Sequence, residues 1–363
     1  MNLNRPRILL PILLCLPLAA GPLEWGVNIH SGGKDPETLA AKLAERKLTC
    51  VRMDLWGNDP KYLARFRVAG EFLVKKGIKI EAVIYSKFSA GQARHQDLEA
   101  DLVEVERTAY EGTRPQIERS RDLLRDFELQ NEISLYRGIK AAGSTGERAA
   151  DFDTPCGRLQ AAVLRGMSKA VRDVGKEAAT PLRIILGTTD RSFALLDFFL
   201  EQGVVFDVVG YHIYPWENHK PLDADPWFGP GGPLGQLARF DRPIRLNEFN
   251  AGEIYSGRPS RPTLPDYANA ADDPVTEAGF RSLDKHLKEL LGQTRANLEA
   301  VLFYEIWDEP HKGPPENRFG LYFDEALTLP KVSLLLAASY AGGSLSPAEK
   351  GELEKRQLGN IER

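Results

Sequence analysis

The sequence predicts a single-domain α/β protein built as a (β/α)8 barrel, the TIM-barrel fold. Short runs rich in β-branched residues alternate with longer amphipathic segments, and this alternation occurs eight times. Such a rhythm predicts a parallel sheet, and eight units within 363 residues favour a closed barrel. The structural alternative is an open, doubly wound sheet. The first strand is not followed by the G-x-G-x-x-G motif that is typical of that alternative.

The predicted elements follow one another without a linker or a low-complexity tract. The predicted strands are residues 25–30, 49–54, 78–85, 127–132, 183–188, 206–212, 243–248 and 300–306. The predicted helices are residues 35–46, a helix that ends at Gly77, 96–124, 160–178, 193–201, a short helix before the seventh strand, 280–291 and 330–340. The barrel domain is predicted to span residues 21–341. Residues 342–363 form a charged C-terminal tail, either a solvated helix or a disordered segment.

Residues 1–20 are predicted to be a signal peptide. Arg5 and Arg7 precede an apolar run over residues 8–18, and Ala19 and Ala20 provide small residues for cleavage. The run is too short to span a bilayer comfortably, and an uncleaved anchor is the alternative. We therefore expect a secreted or periplasmic protein that has no membrane contact after cleavage.

Charge and cysteine content narrow the classes of partner. The formal net charge is −4 at pH 7, and no basic stripe runs through the sequence, so we expect no binding to nucleic acid. Neutral sugars fit such a protein better than polyanions do, and we expect a monomer. Cys50 and Cys156 remain after cleavage of the signal peptide. A disulfide between them is permitted in an exported protein, and two separate buried thiols are the alternative.

Polar and aromatic residues collect where the predicted strands end. The active sites of TIM barrels form at the carboxyl ends of the strands, so side chains at these ends are expected to converge on one rim. The candidates at or directly after strand ends are His30, Arg52, Trp56, Tyr85, Asn131, Glu132, His212, Tyr214, Trp216, Glu248 and Trp307.

Two of these candidates are glutamates on strands that lie on roughly opposite sides of a small barrel. Glu132 ends the fourth predicted strand and Glu248 ends the seventh, so their side chains can face each other across a sugar-sized gap. Glycoside hydrolysis needs a carboxylic acid that protonates the leaving oxygen and a carboxylate that attacks the anomeric carbon. Arg52 and Tyr214 are suited to holding Glu248 ionised, and Asn131 is suited to binding a sugar hydroxyl.

Four short segments at strand ends carry further information. They are Leu129-Gln-Asn-Glu132, Gly210-Tyr-His-Ile-Tyr-Pro-Trp216, Arg245-Leu-Asn-Glu-Phe249 and Phe303-Tyr-Glu-Ile-Trp-Asp-Glu-Pro310. These segments resemble the motifs of clan A glycoside hydrolases, in the style of families 5, 39 and 53. The resemblance implies a retaining β-glycosidase in which the glutamate of the first segment is the acid/base and that of the third is the nucleophile. It implies supporting roles for Arg52, Asn131, His212 and Tyr214, and it places Trp307 beneath the bound sugar.

One position departs from the family 5 pattern. That family usually has a histidine near the end of strand three, where this chain has Val83-Ile-Tyr-Ser86. Tyr85 is a candidate to replace the histidine, so the resemblance supports the clan and not family 5. The segment Asn317-Arg-Phe-Gly-Leu-Tyr-Phe-Asp324 after strand eight is similar to barrels of family 39.

Aromatic residues and long loops support a sugar-binding cleft. Trp56, Trp216, Trp227 and Trp307 lie in or beside segments that follow strands, and flat aromatic faces stack on pyranose rings. For Trp227, packing within its Pro/Gly-rich loop is an equally good explanation. The irregular loops 216–235 and 251–273 are suited to building substrate subsites.

Two other functions compete with the glycosidase prediction. A metal-dependent barrel hydrolase could use His30, His212, Asp308 and His311, but the sequence has no H-x-H or H-E-x-x-H cluster. A non-catalytic sugar-binding barrel would usually have lost one of the two carboxylates, and this chain has both. Since two carboxylates suffice for the chemistry, we expect neither a metal nor a cofactor.

Overall fold

A computed structural model describes residues 22–30, 32–56, 59–89, 98–253, 274–313 and 316–359. Within these residues, eight parallel strands close into one barrel in sequence order. The first strand pairs with the second through Val27 and Val51, and it closes the barrel by pairing with the eighth through Trp25 and Val301. The predicted (β/α)8 barrel is therefore confirmed.

The strands and helices alternate as the sequence predicts. The strands are β1 Glu24–Ile29, β2 Cys50–Leu55, β3 Lys79–Ile84, β4 Asp126–Leu129, β5 Arg183–Thr189, β6 Val208–Ile213, β7 Ile244–Phe249 and β8 Leu298–Phe303. The helices are α1 Pro36–Glu45, α2 Pro60–Lys75, α3 Leu102–Glu118, α4 Pro155–Glu177, α5 Ala194–Glu201, α6 Gly232–Ala238, α7 Pro274–Gly292, α8 Val332–Ala341 and α9 Pro347–Arg356.

Several helices begin at a capping residue followed by proline. The side chain of Asp35 accepts a hydrogen bond from the backbone N–H of Thr38 at the start of α1, and Asp59 caps α2 in the same way. Thr154 caps α4 by accepting from the N–H of Gly157. These caps satisfy backbone donors that have no partner in the first helical turn, and proline in that turn costs no hydrogen bond.

Several predicted elements differ in their bounds from the observed ones, among them the fourth strand and the third helix. The fourth strand was predicted through Glu132, but β4 ends at Leu129. Gln130 and Glu132 then adopt positive φ angles of 62° and 47°, so the chain turns instead of continuing as a strand. The long helix predicted over 96–124 is shorter as α3, Leu102–Glu118. The start of that prediction, at 96–97, lies outside the described residues.

The amino end of the barrel interior is filled by ion pairs. Arg245, 1% exposed, contacts Glu81 and Asp126 at 3.1 and 2.8 Å, and Arg183 binds Asp126 and Glu299. A cavity of about 810 Å³ opens at this end and includes Arg183 and Glu299 in its lining. Because these charges already pair with one another, this end serves as structural support.

The segment after residue 341 is partly helical and contacts the barrel domain. Arg46 forms two hydrogen bonds with Glu349 of α9, at 2.7 and 3.1 Å, and Leu353 and Leu358 are buried. Of the two alternatives for this segment, a helix is therefore observed over Pro347–Arg356, and it packs against the domain. The predicted signal peptide, residues 1–20, lies outside the described residues.

The two cysteines that the structure describes do not form a disulfide. Cys50 and Cys156 are both buried and unpaired, so of the two alternatives the structure has separate thiols. Burial raises the pKa of Cys50 to about 12, despite the opposing charge of Arg245.

Within the described ranges, no helix is both long enough and apolar enough to cross a membrane.

Candidate active site

Glu248 lies at the carboxyl end of the barrel and is held by donors from two other strands. It is the fifth residue of β7 and 6% exposed. Arg52 Nη1, from β2, donates to one of its oxygens at 2.9 Å. The hydroxyl of Tyr214, directly after β6, donates to the other at 2.8 Å. Both oxygens therefore accept hydrogen bonds that favour the carboxylate form.

A register shift brings His212 opposite Glu248. Tyr211 of β6 pairs with Leu246 of β7, but the next residue, His212, pairs with Glu248 instead of Asn247. Such an irregularity turns the following side chain to a new direction. The amide of Asn247 is directed into the barrel, where it donates to Glu81 at 2.6 Å.

Glu132 lies in the turn after β4. Its left-handed backbone conformation, φ 47° and ψ 46°, is uncommon for a residue that is not glycine. Asn131, immediately before it, accepts a hydrogen bond from Arg52 Nη2 at 2.7 Å. Gln130 is held by Gln160 of α4 at 3.0 Å. The turn is therefore fixed by buried polar contacts, in the way that strained backbone at functional sites usually is.

His212 joins the two glutamates. Its Nδ1 lies 3.1 Å from Glu132 Oε1 and 3.3 Å from Glu248 Oε2. One carboxylate oxygen of each glutamate and a ring nitrogen of His212 all lie within 4.8 Å of one another. The structure thus brings the predicted pair Glu132 and Glu248 into one pocket, together with Arg52, Asn131, His212 and Tyr214.

The ionisation of this group differs from the expectation that Glu132 has a raised pKa. Burial disfavours the charged form of Glu132, but the hydrogen bond from His212 and the charge of Arg52 outweigh it, so its pKa is lowered. For His212, burial disfavours the cation, yet the charge of Glu248 and contacts with Glu128 and Glu132 raise its pKa to about 10. Both shifts favour a cationic His212 beside an ionised Glu132.

Arg52 also contacts a carboxylate that the sequence reasoning missed. Glu128, two residues earlier on β4 than the turn, is fully buried and forms an ion pair with Arg52 Nε. The segment Phe127-Glu-Leu was interpreted as a plain strand. An acidic residue within a four-residue buried strand was the available signal, because a buried carboxylate requires a partner.

Two aromatic residues follow the end of β8, the predicted Trp307 and Tyr304, which was not among the predicted candidates. Trp307 is only 6% exposed, and its ring lies against Gly33, whose added Cβ would come within 3.3 Å of it. Tyr304 packs edge-on against Tyr214 at 6.4 Å between ring centroids. Burial, followed by the charge of Glu248, raises the pKa of Tyr304. The structure therefore favours Tyr304 as the aromatic neighbour of the nucleophile candidate.

His30, Trp56 and Tyr85 form a second group on the same rim, centred on Asp54. His30 Nδ1 and the Tyr85 hydroxyl lie 2.9 and 2.6 Å from the two oxygens of Asp54. Trp56 is 40% exposed and stacks on Tyr85 with ring centroids 4.3 Å apart. His30 Nε2 also approaches the hydroxyl of Tyr304 at 3.0 Å, which connects this group to the first.

Among the residues that the structure describes, two sets of side chains are close enough to bind a metal ion, and both have other partners. In the set His30, Glu305 and Glu309, the ammonium of Lys312 contacts both glutamates and so supplies positive charge there. In the set formed with His212, the two oxygens of Glu248 already accept from protein donors. The carboxylates of both sets are therefore better explained as partners in hydrogen bonds and ion pairs within the protein than as ligands of a metal ion.

Trp216 and Trp227 both lie in the segment between β6 and α6. The ring of Trp216 packs against Gly252, where an added Cβ would come within 2.6 Å of it. Trp227 is 59% exposed, and the guanidinium of Arg191 lies 4.9 Å from its ring centroid. Most of the loop predicted over 251–273 lies outside the described residues.

Comparison with known proteins bears on the fold. No protein-family model and no curated protein sequence matches the chain. A β-glucosidase from Thermotoga maritima in complex with glucoimidazole has a TM-score of 0.53 at 13% identity, covering 93% of this chain and 98% of that chain. The endo-1,4-β-xylanase XylE of Penicillium canescens has a TM-score of 0.57 at 12% identity, covering 88% and 94%.

A third structure is the Thermotoga maritima family 1 glycoside hydrolase complexed with a cyclophellitol analogue transition-state mimic. Its TM-score is 0.55 at 14% identity, with 89% of this chain and 98% of that chain covered. At such identities the similarity concerns the fold. It agrees with the resemblance of the barrel to clan A glycoside hydrolases.

Proposed function

We propose that this chain is a retaining β-glycosidase of clan A, with Glu132 as acid/base and Glu248 as nucleophile. The observation that carries the proposal is the close approach of their oxygens, within 4.8 Å. Retaining enzymes place the two carboxyl groups about 5–5.5 Å apart, whereas inverting enzymes separate them by about 6.5–9.5 Å to admit a water molecule. The short spacing supports direct attack by a carboxylate.

The reaction proceeds by double displacement. Glu248 attacks the anomeric carbon, the glycosidic C–O bond breaks, and the leaving oxygen takes a proton from Glu132. Glu132 then removes a proton from a water molecule, which displaces Glu248 from the sugar. The donors Arg52 and Tyr214 keep Glu248 ionised before attack and stabilise its negative charge as it leaves.

The proton for the leaving oxygen is held by the pair of His212 and Glu132. Because the pKa of His212 is raised to about 10, the pair carries a proton at neutral pH. A bound sugar removes water from the pocket, and this disfavours separated charges. Binding therefore favours the neutral form of the pair, in which the proton lies on Glu132.

The proposed substrate is a neutral, β-linked oligo- or polysaccharide. The carboxylates of Asp54, Glu305 and Glu309 lie beside the site and outnumber the two cations that pair with them, His30 and Lys312, which disfavours an anionic sugar. The stacked ring of Trp56 offers a partly exposed flat surface for a pyranose. Two proteins of similar fold, a β-glucosidase and an endo-1,4-β-xylanase, also support a β-linked substrate. We also propose that the protein is secreted or periplasmic, that it is a monomer, and that it has no partner other than its substrate.

The test is hydrolysis of a panel of aryl β-glycosides and β-linked polysaccharides by the purified protein. We expect Glu248→Gln to abolish turnover. Glu132→Ala should slow hydrolysis most for substrates with poor leaving groups, because these need protonation most. Tyr110→Phe, on the outer helix α3, is the matched control. Wild-type rates in Glu248→Gln would overturn the nucleophile assignment.

The same panel separates the alternatives. A non-catalytic sugar-binding barrel would show a stability shift with an oligosaccharide and no hydrolysis. A metal-dependent hydrolase would lose activity with a chelator and regain it with the metal. For the proposed mechanism, we expect activity to be unchanged by the chelator.

A further inference from the structure

Glu128 is a buried carboxylate between the two cations of the candidate site. Arg52 Nε pairs with its Oε2, and the Nε2 atom of His212 lies 3.8 Å from its Oε1. Glu128 Oε1 and His212 Nε2 are both buried, and neither has a hydrogen-bond partner within the described part of the chain. A shift of about 1 Å would bring these two atoms to hydrogen-bond distance.

The barrel leaves little freedom for Glu128 to move elsewhere. It belongs to β4, and its side chain crosses towards Gly187 of β5, where an added Cβ would lie 2.9 Å from Glu128 Oε1. The absence of a side chain on Gly187 therefore makes room for the carboxylate. The charged and titratable groups that face it from the neighbouring elements are Arg52 of β2, Glu81 of β3, Tyr85 after β3, Glu132 after β4, His212 of β6 and Glu248 of β7.

We propose that Glu128 is a positioning residue with two effects. It fixes Arg52 against Glu248, and its negative charge keeps a proton on the His212–Glu132 pair. The leaving oxygen then receives this proton. This inference rests on the proposed glycosidase function. Glu128 is not proposed to contact the sugar or to take part in the bond changes itself. It acts through Arg52 and His212, one on each side of its carboxylate.

The charges explain why a third carboxylate is useful. Arg52 and His212 together place two cations beside Glu132 and Glu248. Without Glu128, no third carboxylate would balance these two cations, and His212 would hold its proton less firmly. With Glu128, the nearby contact contributes to the raised pKa of His212, and the negative charge of Glu128 partly opposes the lowering of the pKa of Glu132.

The experiment compares the pH dependence of kcat/KM in the wild type, Glu128→Gln and Glu128→Asp. Removing the negative charge lowers the affinity of neighbouring groups for protons, so both limbs of the profile in Glu128→Gln should move to lower pH, by about one unit or more. Glu128→Asp keeps the charge but shortens the side chain. Its limbs should stay near those of the wild type, while kcat falls because Arg52 is displaced.

Asp126→Asn is the matched control, because Asp126 lies on the same strand but pairs with Arg183 and Arg245 at the other end of the barrel. Its limbs should not move, and thermal unfolding should show that all variants are folded. A Glu128→Gln profile with a lower plateau and unmoved limbs would overturn the inference, since loss of structure alone gives that result.

A second readout does not depend on activity. In protein labelled with 15N-histidine, the ring nitrogens of His212 should titrate at lower pH in Glu128→Gln than in the wild type, with the signal assigned from His212→Gln. If the titration shifts and no glycoside is hydrolysed, Glu128 has the proposed electrostatic role and the glycosidase proposal fails. If glycosides are hydrolysed and neither the titration nor the profile shifts, the role of Glu128 is refuted.

Discussion

At the scale of single residues, the site depends on how Glu248 is kept as an anion. Its two oxygens accept from Arg52 at 2.9 Å and from Tyr214 at 2.8 Å. The Arg52 guanidinium also bonds Asn28, Asn131 and Glu128, so its position is fixed by several strands. Tyr214 is the separable donor, because its hydroxyl can be removed without changing the packing of its ring.

We expect Tyr214→Phe to reduce kcat/KM about 10- to 100-fold, since a hydrogen bond to a charged group contributes about 1.5–3 kcal/mol. The loss should appear mainly in kcat, because the hydroxyl matters most when Glu248 develops and loses charge. Steady-state kinetics on an aryl β-glycoside measure the effect, with Tyr110→Phe as control. An unchanged kcat would show that Tyr214 does not act on the nucleophile.

Sequence reasoning at this scale found the residues at strand ends and missed those inside the barrel. Glu132, Glu248, Arg52 and His212 follow from their positions at strand ends. Glu128 does not, because it lies inside β4 and its role depends on a contact with Arg52 of β2. Tyr304 was missed because the eighth strand was predicted to run to residue 306, whereas β8 ends at Phe303. The place of Trp307 beneath the sugar stays a prediction, and its burial against Gly33 is a tertiary effect that the sequence does not show.

At the scale of elements, the turn after β4 determines where Glu132 points. The fourth strand was predicted to run through Glu132, although three polar residues, 130–132, follow Leu129. The observed turn contains Gln130 and Glu132 with positive φ, which the residue types do not announce. It is held from outside: Gln130 bonds Gln160 of α4, and Gln160 in turn donates to the backbone oxygen of Phe88 at 3.0 Å.

We expect Gln160→Leu to lower the free energy of unfolding by about 1–3 kcal/mol, because it leaves buried polar partners unsatisfied. It should also lower kcat/KM, since the turn that carries Glu132 loses its support. Urea denaturation and kinetics measure the two effects. Gln236→Leu, whose amide bonds only the exposed carbonyl of Pro230, is the control. Full stability and full activity in Gln160→Leu would show that the turn is fixed by other contacts.

At the scale of the whole molecule, the barrel places residues from distant strands on one rim. The alternation of strands and helices was enough to predict this architecture, because it follows from local periodicity and from the rules for parallel sheets. The register shift between β6 and β7, which sets His212 opposite Glu248, was not predictable. It depends on the packing of side chains inside the closed barrel.

The central claim is that Glu248 attacks the sugar while Glu132 protonates the leaving oxygen. Its most direct test is peptide mass spectrometry after reaction with an aryl 2-deoxy-2-fluoro-β-glycoside, matched to the best substrate of the panel, because the fluorine slows release of a covalent intermediate. We expect one sugar mass on the peptide that contains Glu248, and none in Glu248→Gln. A label on a different carboxylate, or hydrolysis with an unlabelled Glu248 and an inverted product, would contradict it.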